Sequence, residues 1–289
     1  MTTDGEPFAP SAELHRSLDG TPIAVFEVLP ADPAGRDPAA DARPRLLLVH
    51  GATADHTTWR TVGPEFARTR RVFALDRRGR GASGDGATYA IEHEYEDVAT
   101  AAAALAAVPA GAVDVAGHSY GGRCALGAAL LTPAIRRVVV YEGAPVPPGL
   151  SYRPPGLVAT VRAALDRGDG DAALSAFLAG IVGMSDAGLA AYRADPVWPA
   201  RVAAAHTILR EIEAEATPAA SLETLGAVAL PVLLILGSVS RSPFRIGTDA
   251  LADRLANAEA VTIDGAAHAA HHTHAIEFVS TVLAFLDRA

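Results

Sequence analysis

The order of elements along the chain predicts a doubly wound, mostly parallel α/β sheet flanked by helices, with one helical insertion. Short β-rich apolar runs alternate with stretches of helical character. Several of the runs are apolar almost throughout, as strands covered on both faces must be. The alternation then stops once, for about 80 residues that hold no convincing strand.

Taken in order, residues 12–29 read as two strands about a Leu18-Asp19-Gly20 turn, and the Pro-, Asp- and Ala-rich stretch 30–44 as an exposed loop. Strands follow at 45–49, 71–75, 112–116, 135–141, 232–236 and 260–263, with helices at 56–68, 91–108, 120–131, 247–256 and 274–287. The interruption opens with Pro145, Pro147, Pro148, Pro154 and Pro155, then becomes Ala-rich and helical over 157–166, 172–181 and 198–216. The expected organisation is a core of residues 1–143 and 227–289, with residues 144–226 as a helical cap; a separate helical module with its own role is the alternative. Ligands of such sheets sit beyond the carboxyl ends of the strands, beneath this insertion.

The 289 residues are half hydrophobic and one-fifth charged, the composition of an ordinary globular protein. A net charge of −9 without a basic block argues against nucleic acid or an anionic membrane as partner. All 24 basic residues are arginine, which beside the abundant alanine reads as GC-rich, most simply bacterial, coding. The single cysteine, Cys124, excludes an internal disulfide and reads as a small buried hydrophobe. Residues 1–11 are polar and acidic, unlike a signal peptide or anchor, so a cytoplasmic location is expected. Oligomeric state is not readable.

The most informative stretch is Gly117-His118-Ser119-Tyr120-Gly121, between an apolar strand and an Ala- and Leu-rich helix. A nucleophilic serine needs a sharp strained turn, and glycines two residues to either side permit it. The following helix points its partial positive end at a developing oxyanion. Nucleophilic serine also needs a base. His268 follows the last strand and precedes the final helix, which returns it to the same sheet edge; His271 is the fallback, and His272 and His274 are expected to cap or decorate the last helix. His50-Gly51-Ala52 ends another strand, so the backbone N–H groups of Ala52 and Tyr120 are the expected oxyanion hole.

These segments, with Asp76-Arg77-Arg78-Gly79-Arg80-Gly81-Ala82-Ser83-Gly84, resemble the α/β-hydrolase family in content and order over residues 20–289. The resemblance implies an eight-stranded sheet, a cap after strand six and a Ser–His–acid triad, with residues 76–84 shaping a turn. One departure stands out. The loop after strand seven, where such proteins usually carry the acid, reads Gly237-Ser238-Val239-Ser240-Arg241-Ser242-Pro243, without a carboxylate. A subset of the family supplies the acid after strand six, which makes Glu142 the candidate; contact with the cap is its alternative role, and Asp264 is a weaker candidate acid.

Trp59, Tyr120 and Trp198 are candidate substrate-binding residues, and Tyr152, Phe177 and Tyr192 could wall the site, with packing in the core the competing role of each. An apolar cap suits an apolar small molecule. The expected activity is hydrolysis of a carboxylic ester, lactone or thioester through an acyl-enzyme on Ser119. No cofactor is required, and the histidine cluster 268, 271, 272 and 274 lacks the acidic or thiolate ligands that a metal site would add. The alternatives are a lyase, cyclase or cofactor-free oxygenase using His268 as base, or a non-catalytic binding protein.

Overall fold

The structure, a computed structural model, describes residues 7–9, 12–107 and 111–288. Most of the polar arm read at 1–11, and the expected end of a helix at Val108, therefore lie outside the described residues. Eight strands form one sheet in the order β1-β2-β4-β3-β5-β6-β7-β8. They are β1 (Glu13–Arg16), β2 (Pro22–Val28), β3 (Arg45–Val49), β4 (Val72–Leu75), β5 (Val113–His118), β6 (Ile135–Tyr141), β7 (Val232–Gly237) and β8 (Ala258–Ile263). β1 and β2 pair antiparallel, β2 meets β4 antiparallel, and the remainder is parallel.

Alternation along the buried strands divides the core between the two faces. Leu47 and Val49 of β3 point to one side, with Tyr95 and Val98 of α2 (Ile91–Ala106) and Cys124 of α3 (Tyr120–Ala129). Leu46 and Leu48 point to the other, with Phe66 of α1 (Gly63–Ala67) and, near the C-terminus, Phe278 and Val282. Each such side chain, withdrawn from water, stabilises the fold by about 1.5–3 kcal/mol.

Between β6 and β7 lie α4 (Leu157–Asp166), α5 (Gly170–Phe177), α6 (Asp186–Arg193), α7 (Trp198–Ala203), α8 (Ile208–Ala214) and α9 (Leu222–Leu225). The first five share a hydrophobic cluster of their own, with Val161, Leu174, Leu189, Trp198 and Ile208 at its centre. The chain closes with α10 (Ser242–Ala252), α11 (Ala270–Thr273) and α12 (Ala275–Leu286).

Several expected helices are shorter or displaced, each for a local reason. The helix expected over 56–68 is a 3-10 turn at His56–Trp59 and then α1, begun by Pro64 in its first turn. The stretch 198–216 is cut by a 3-10 turn at Ala204–Thr207, and 172–181 gives way to a π-helical turn at Leu178–Val182. α10 starts five residues before expectation because Pro243 initiates it. No described helix is long and apolar enough to cross a membrane.

Candidate active site

β3 neighbours both β4 and β5, so successive connections leave it in opposite directions and open a crevice at its carboxyl end. Ser119 stands there, immediately after β5, with φ +53° and ψ −124°. A non-glycine residue in this region is strained and persists only where its surroundings enforce it. Here the Ser119 N–H donates to Tyr141 O (2.8 Å) and its carbonyl accepts from Gly122 N (2.9 Å). Any side chain at Gly117 would collide with the Gly121 carbonyl, and any at Gly121 with the carbonyls of Val49 and His50. Both glycines are therefore sterically required.

One strand away, Glu142 also adopts positive φ (+48°) at the end of β6. Its buried carboxylate reaches His268, with Oε2 2.7 Å from Nδ1. The other oxygen, Oε1, accepts from Gly237 N (2.8 Å) and from the Ser240 hydroxyl. Asp264 is exposed and accepts instead from Ser238 Oγ (3.0 Å). The imidazole is stacked on Phe244 at 4.4 Å between ring centres. A carboxylate at Nδ1 fixes the proton there and leaves Nε2 as the basic nitrogen.

Gly51 lies so close to the turn that a Cβ on it would sit 3.1 Å from Ser119 Cβ. Ala52 thus flanks Ser119. His50 is a strap rather than a reactive group: Nδ1–H donates to Gly51 O (2.8 Å) and Nε2 accepts from Arg77 N (2.9 Å). Burial, reinforced by the charges of Arg77 and Arg80, keeps this ring neutral by pushing its pKa well below the ordinary value.

Ser119, His268 and Ala52 line a cavity of about 540 Å³ between the sheet edge and the insertion. Phe177, Leu178, Ile181, Val182 and Met184 form an apolar wall, and Arg60, Asp195, Arg201, His271 and His272 a polar end.

Comparison with known proteins agrees with this architecture. The pattern of the Alpha/beta hydrolase family matches residues 46–281. The chain belongs to the alpha/beta hydrolase family. A 2-hydroxy-6-oxo-2,4-heptadienoate hydrolase of Pseudomonas putida is 39% identical over 104 residues, a match spanning 34% of this chain and 37% of that protein. Among solved structures, an alpha/beta hydrolase from Sphaerobacter thermophilus is 29% identical with a TM-score of 0.73, covering 92% of this chain and 99% of that one. An enol-lactonase from Burkholderia xenovorans shares the fold at 21% identity, with a TM-score of 0.70 over 98% of this chain and 100% of that one.

In this alpha/beta hydrolase the carboxylate-free loop after β7 is engaged on two sides. Ser240 donates to Glu142, while Arg241 Nη1 donates to the carbonyls of Gly180 and Ile181 (2.6 Å to the latter) in the π-helical turn. The stretch 76–84 is structural in its contacts. Asp76 accepts from His56 N (2.7 Å) and Ala82 N (2.8 Å), and Arg78 makes a bidentate pair with Asp97 (2.7 and 2.8 Å).

The two tryptophans do not face the cavity. Trp59 is fully buried against the α12 side of the sheet, and Trp198 packs inside the insertion with Nε1 donating to Asp171 (2.8 Å). Both are drawn inward by large apolar rings adjoining neighbouring helices. Tyr120 borders a narrow recess beside Ser119, and its hydroxyl bonds Tyr89 (2.9 Å) under the Arg77 guanidinium. Phe177 and Tyr192 do line the cavity. So do His118, Arg201 and Arg60, which sequence reasoning missed, and His272, which was expected merely to decorate the last helix. His118 was readable as the residue before the serine; its Nε2–H donates to His268 O (2.8 Å). His271 is buried, with Nδ1 unpartnered and Nε2 3.4 Å from Thr58 Oγ1. Among the described residues no three His, Cys, Asp or Glu side chains converge as metal ligands would.

Proposed function

We propose that the protein is a serine hydrolase cleaving a small carboxylic ester, lactone or thioester through an acyl-enzyme on Ser119. The observation that carries this reading is the buried Glu142 Oε2···Nδ1 His268 contact of 2.7 Å at the edge of the cavity bordered by the strained Ser119. In the proposed sequence Ser119 Oγ attacks the carbonyl carbon and passes its proton to His268 Nε2. Glu142 holds the ring by its Nδ1–H and stabilises the imidazolium. The N–H groups of Ala52 and Tyr120, the latter at the start of α3, stabilise the oxyanion. Collapse breaks the bond to the leaving oxygen or sulfur, which takes the proton from His268. Water then attacks the acyl-Ser119 ester, with His268 as base, and releases the acid.

The helices of residues 144–226 serve as the cap in this reading, and their apolar wall suits an apolar stem on the substrate. The similarity to a heptadienoate hydrolase supports hydrolysis as the class of reaction, over the part of that protein it matches.

The test is turnover of a short-chain p-nitrophenyl ester. Ser119→Ala abolishes it, and Glu142→Gln lowers kcat on the order of 10⁴-fold in a folded protein, as loss of the orienting carboxylate does in serine proteases generally. Turnover that persists in Ser119→Ala overturns the acyl-enzyme.

A further inference from the structure

Arginines are abundant in this chain, and the large buried ones are paired. Arg77 meets Glu94 (2.6 Å), Arg78 meets Asp97 (2.7 Å) and Arg123 meets Glu215 (2.6 Å). Within the cavity, Arg60 is paired too, with Asp195 at 3.1 Å. Arg201 differs. It projects from α7 into the cavity, half-buried, and among the described residues no carboxylate lies within ion-pair distance of it. Its contacts are a long hydrogen bond from Nη1 to Ala52 O (3.4 Å) and the Tyr192 ring, 5.6 Å from the guanidinium carbon.

The long bond fixes where this charge sits. Ala52 follows Gly51, on which an added Cβ would come within 3.1 Å of Ser119 Cβ, and Arg201, Ala52 and Ser119 line the same cavity, so the guanidinium faces the serine's end of it from the insertion side. Around it, burial keeps His118 and His271 neutral, and His272 is lowered to about 4 by burial and by the charges of Arg60 and Arg201. The lining carries two guanidinium groups and, among the described residues, a single carboxylate, Asp195, which already serves Arg60. A fixed cation in a partly desolvated cavity, with most of its five donors unspent, is matched by a planar anion that accepts two of them.

We propose that Arg201 binds a carboxylate of the substrate, so that the natural substrate is an anionic acyl compound: an apolar stem, a cleavable carbonyl and a free carboxylate close to it. This rests on the serine-hydrolase reading for the cleavable bond, but the binding of the carboxylate can be measured without turnover. The cation contributes mainly to binding, and so to KM, because it faces a group that does not change charge during the reaction.

Two ligand pairs test it. Monobenzyl succinate and benzyl succinamate differ only in carboxylate against carboxamide, and acid release from both is followed by pH-stat titration. In the wild type the charged ester is preferred. In Arg201→Gln the ratio of kcat/KM for charged over neutral ester falls roughly 10- to 100-fold, chiefly through KM, as expected for a lost charge-assisted hydrogen bond. Arg201→Lys, which keeps the charge without the fork, retains part of the preference and stands in should the glutamine variant fold poorly. A ratio indifferent to both substitutions overturns the proposal, and so does an equal loss on both esters, which would make Arg201 a contact that merely seats the insertion on Ala52. Calorimetric binding of 4-phenylbutyrate against 4-phenylbutyramide, to wild type and variant, needs no catalysis. If the wild type cleaves neither ester, the hydrolase reading fails on these substrates while the calorimetry still decides Arg201: a carboxylate preference that disappears with the guanidinium upholds it, and equal affinities overturn it.

Discussion

Glu142 is held as firmly as the histidine it touches. Two donors, Gly237 N and Ser240 Oγ, converge on Oε1 and leave Oε2 to face His268. Removing one donor from a carboxylate otherwise sealed from water loosens its orientation. Ser240→Ala is accordingly expected to lower kcat about tenfold with little change in KM, since a hydrogen bond to a charged group is worth about 1.5–3 kcal/mol and the Gly237 bond remains. Steady-state kinetics on a p-nitrophenyl ester checks this, and a rise in KM at constant kcat would show that Ser240 acts on substrate binding instead. At this scale the sequence was informative where a motif fixes geometry. Ser119 and His268 are marked by their glycines and by their place after strands, and Glu142 by being the last residue of an apolar run that ends in a charge. Arg201 and His272 carried no such mark. They reach the cavity from helices whose phase is set by tertiary packing, and an arginine in an Ala-rich helix looks the same whether it faces water or a ligand.

At the level of elements, strand positions were legible because burial on both faces demands unbroken apolar runs. Helix boundaries were less so. The turn at Leu178–Val182 is π-helical, a form with no distinct compositional signature, and it supplies Leu178, Ile181 and Val182 to the cavity wall. Its carbonyls are held by Arg241 from the loop after β7, so the loop that lacks an acid connects the Glu142 carboxylate to the wall of the site. Arg241→Ala should relax that wall. KM for an apolar ester is expected to rise several-fold with kcat largely preserved, measured on the same ester series, and a loss confined to kcat would instead place its effect on the Glu142–His268 pair.

Across the whole molecule, the insertion is attached to the sheet through buried charge. Glu211 of α8 reaches Arg77 and Arg80 of the core, and Arg77 is bound in turn by Glu94. Glu211→Gln leaves two buried guanidinium groups short of compensation, so a loss on the order of 3 kcal/mol is expected in urea unfolding. A loss below a few tenths would mean the network is screened or rearranges. A second property belongs to the molecule as a unit. His50, His118 and His271 are held neutral by burial first, and His272 titrates at about 4 instead of 6.5. These folded-state values lie below the unfolded one, so the unfolded chain binds the extra protons as pH drops below 6.5. Stability is therefore full above that value and falls on acidification, each ring contributing about 1.4 kcal/mol per pH unit where only the unfolded form is protonated. Melting temperatures measured at pH 7, 6 and 5 should decline progressively, and more shallowly in His271→Phe; a flat profile would contradict neutral burial.

The insertion keeps its own apolar centre, around Val161, Leu174 and Ile208, and the partly buried side chains that wall the cavity pack against it from the outside. Phe177, Ile181, Val182 and Met184 belong to the second group, and none of them contacts the Glu142–His268 pair through a hydrogen bond or supports the Glu211 attachment. Exchange among apolar residues of similar size at those four positions can reshape the range of accepted molecules while the hydrogen bonds of the reacting groups and the buried ion pairs stay in place. A lineage carrying this arrangement can change its diet of substrates by small inherited steps, without passing through an unfolded or inert ancestor.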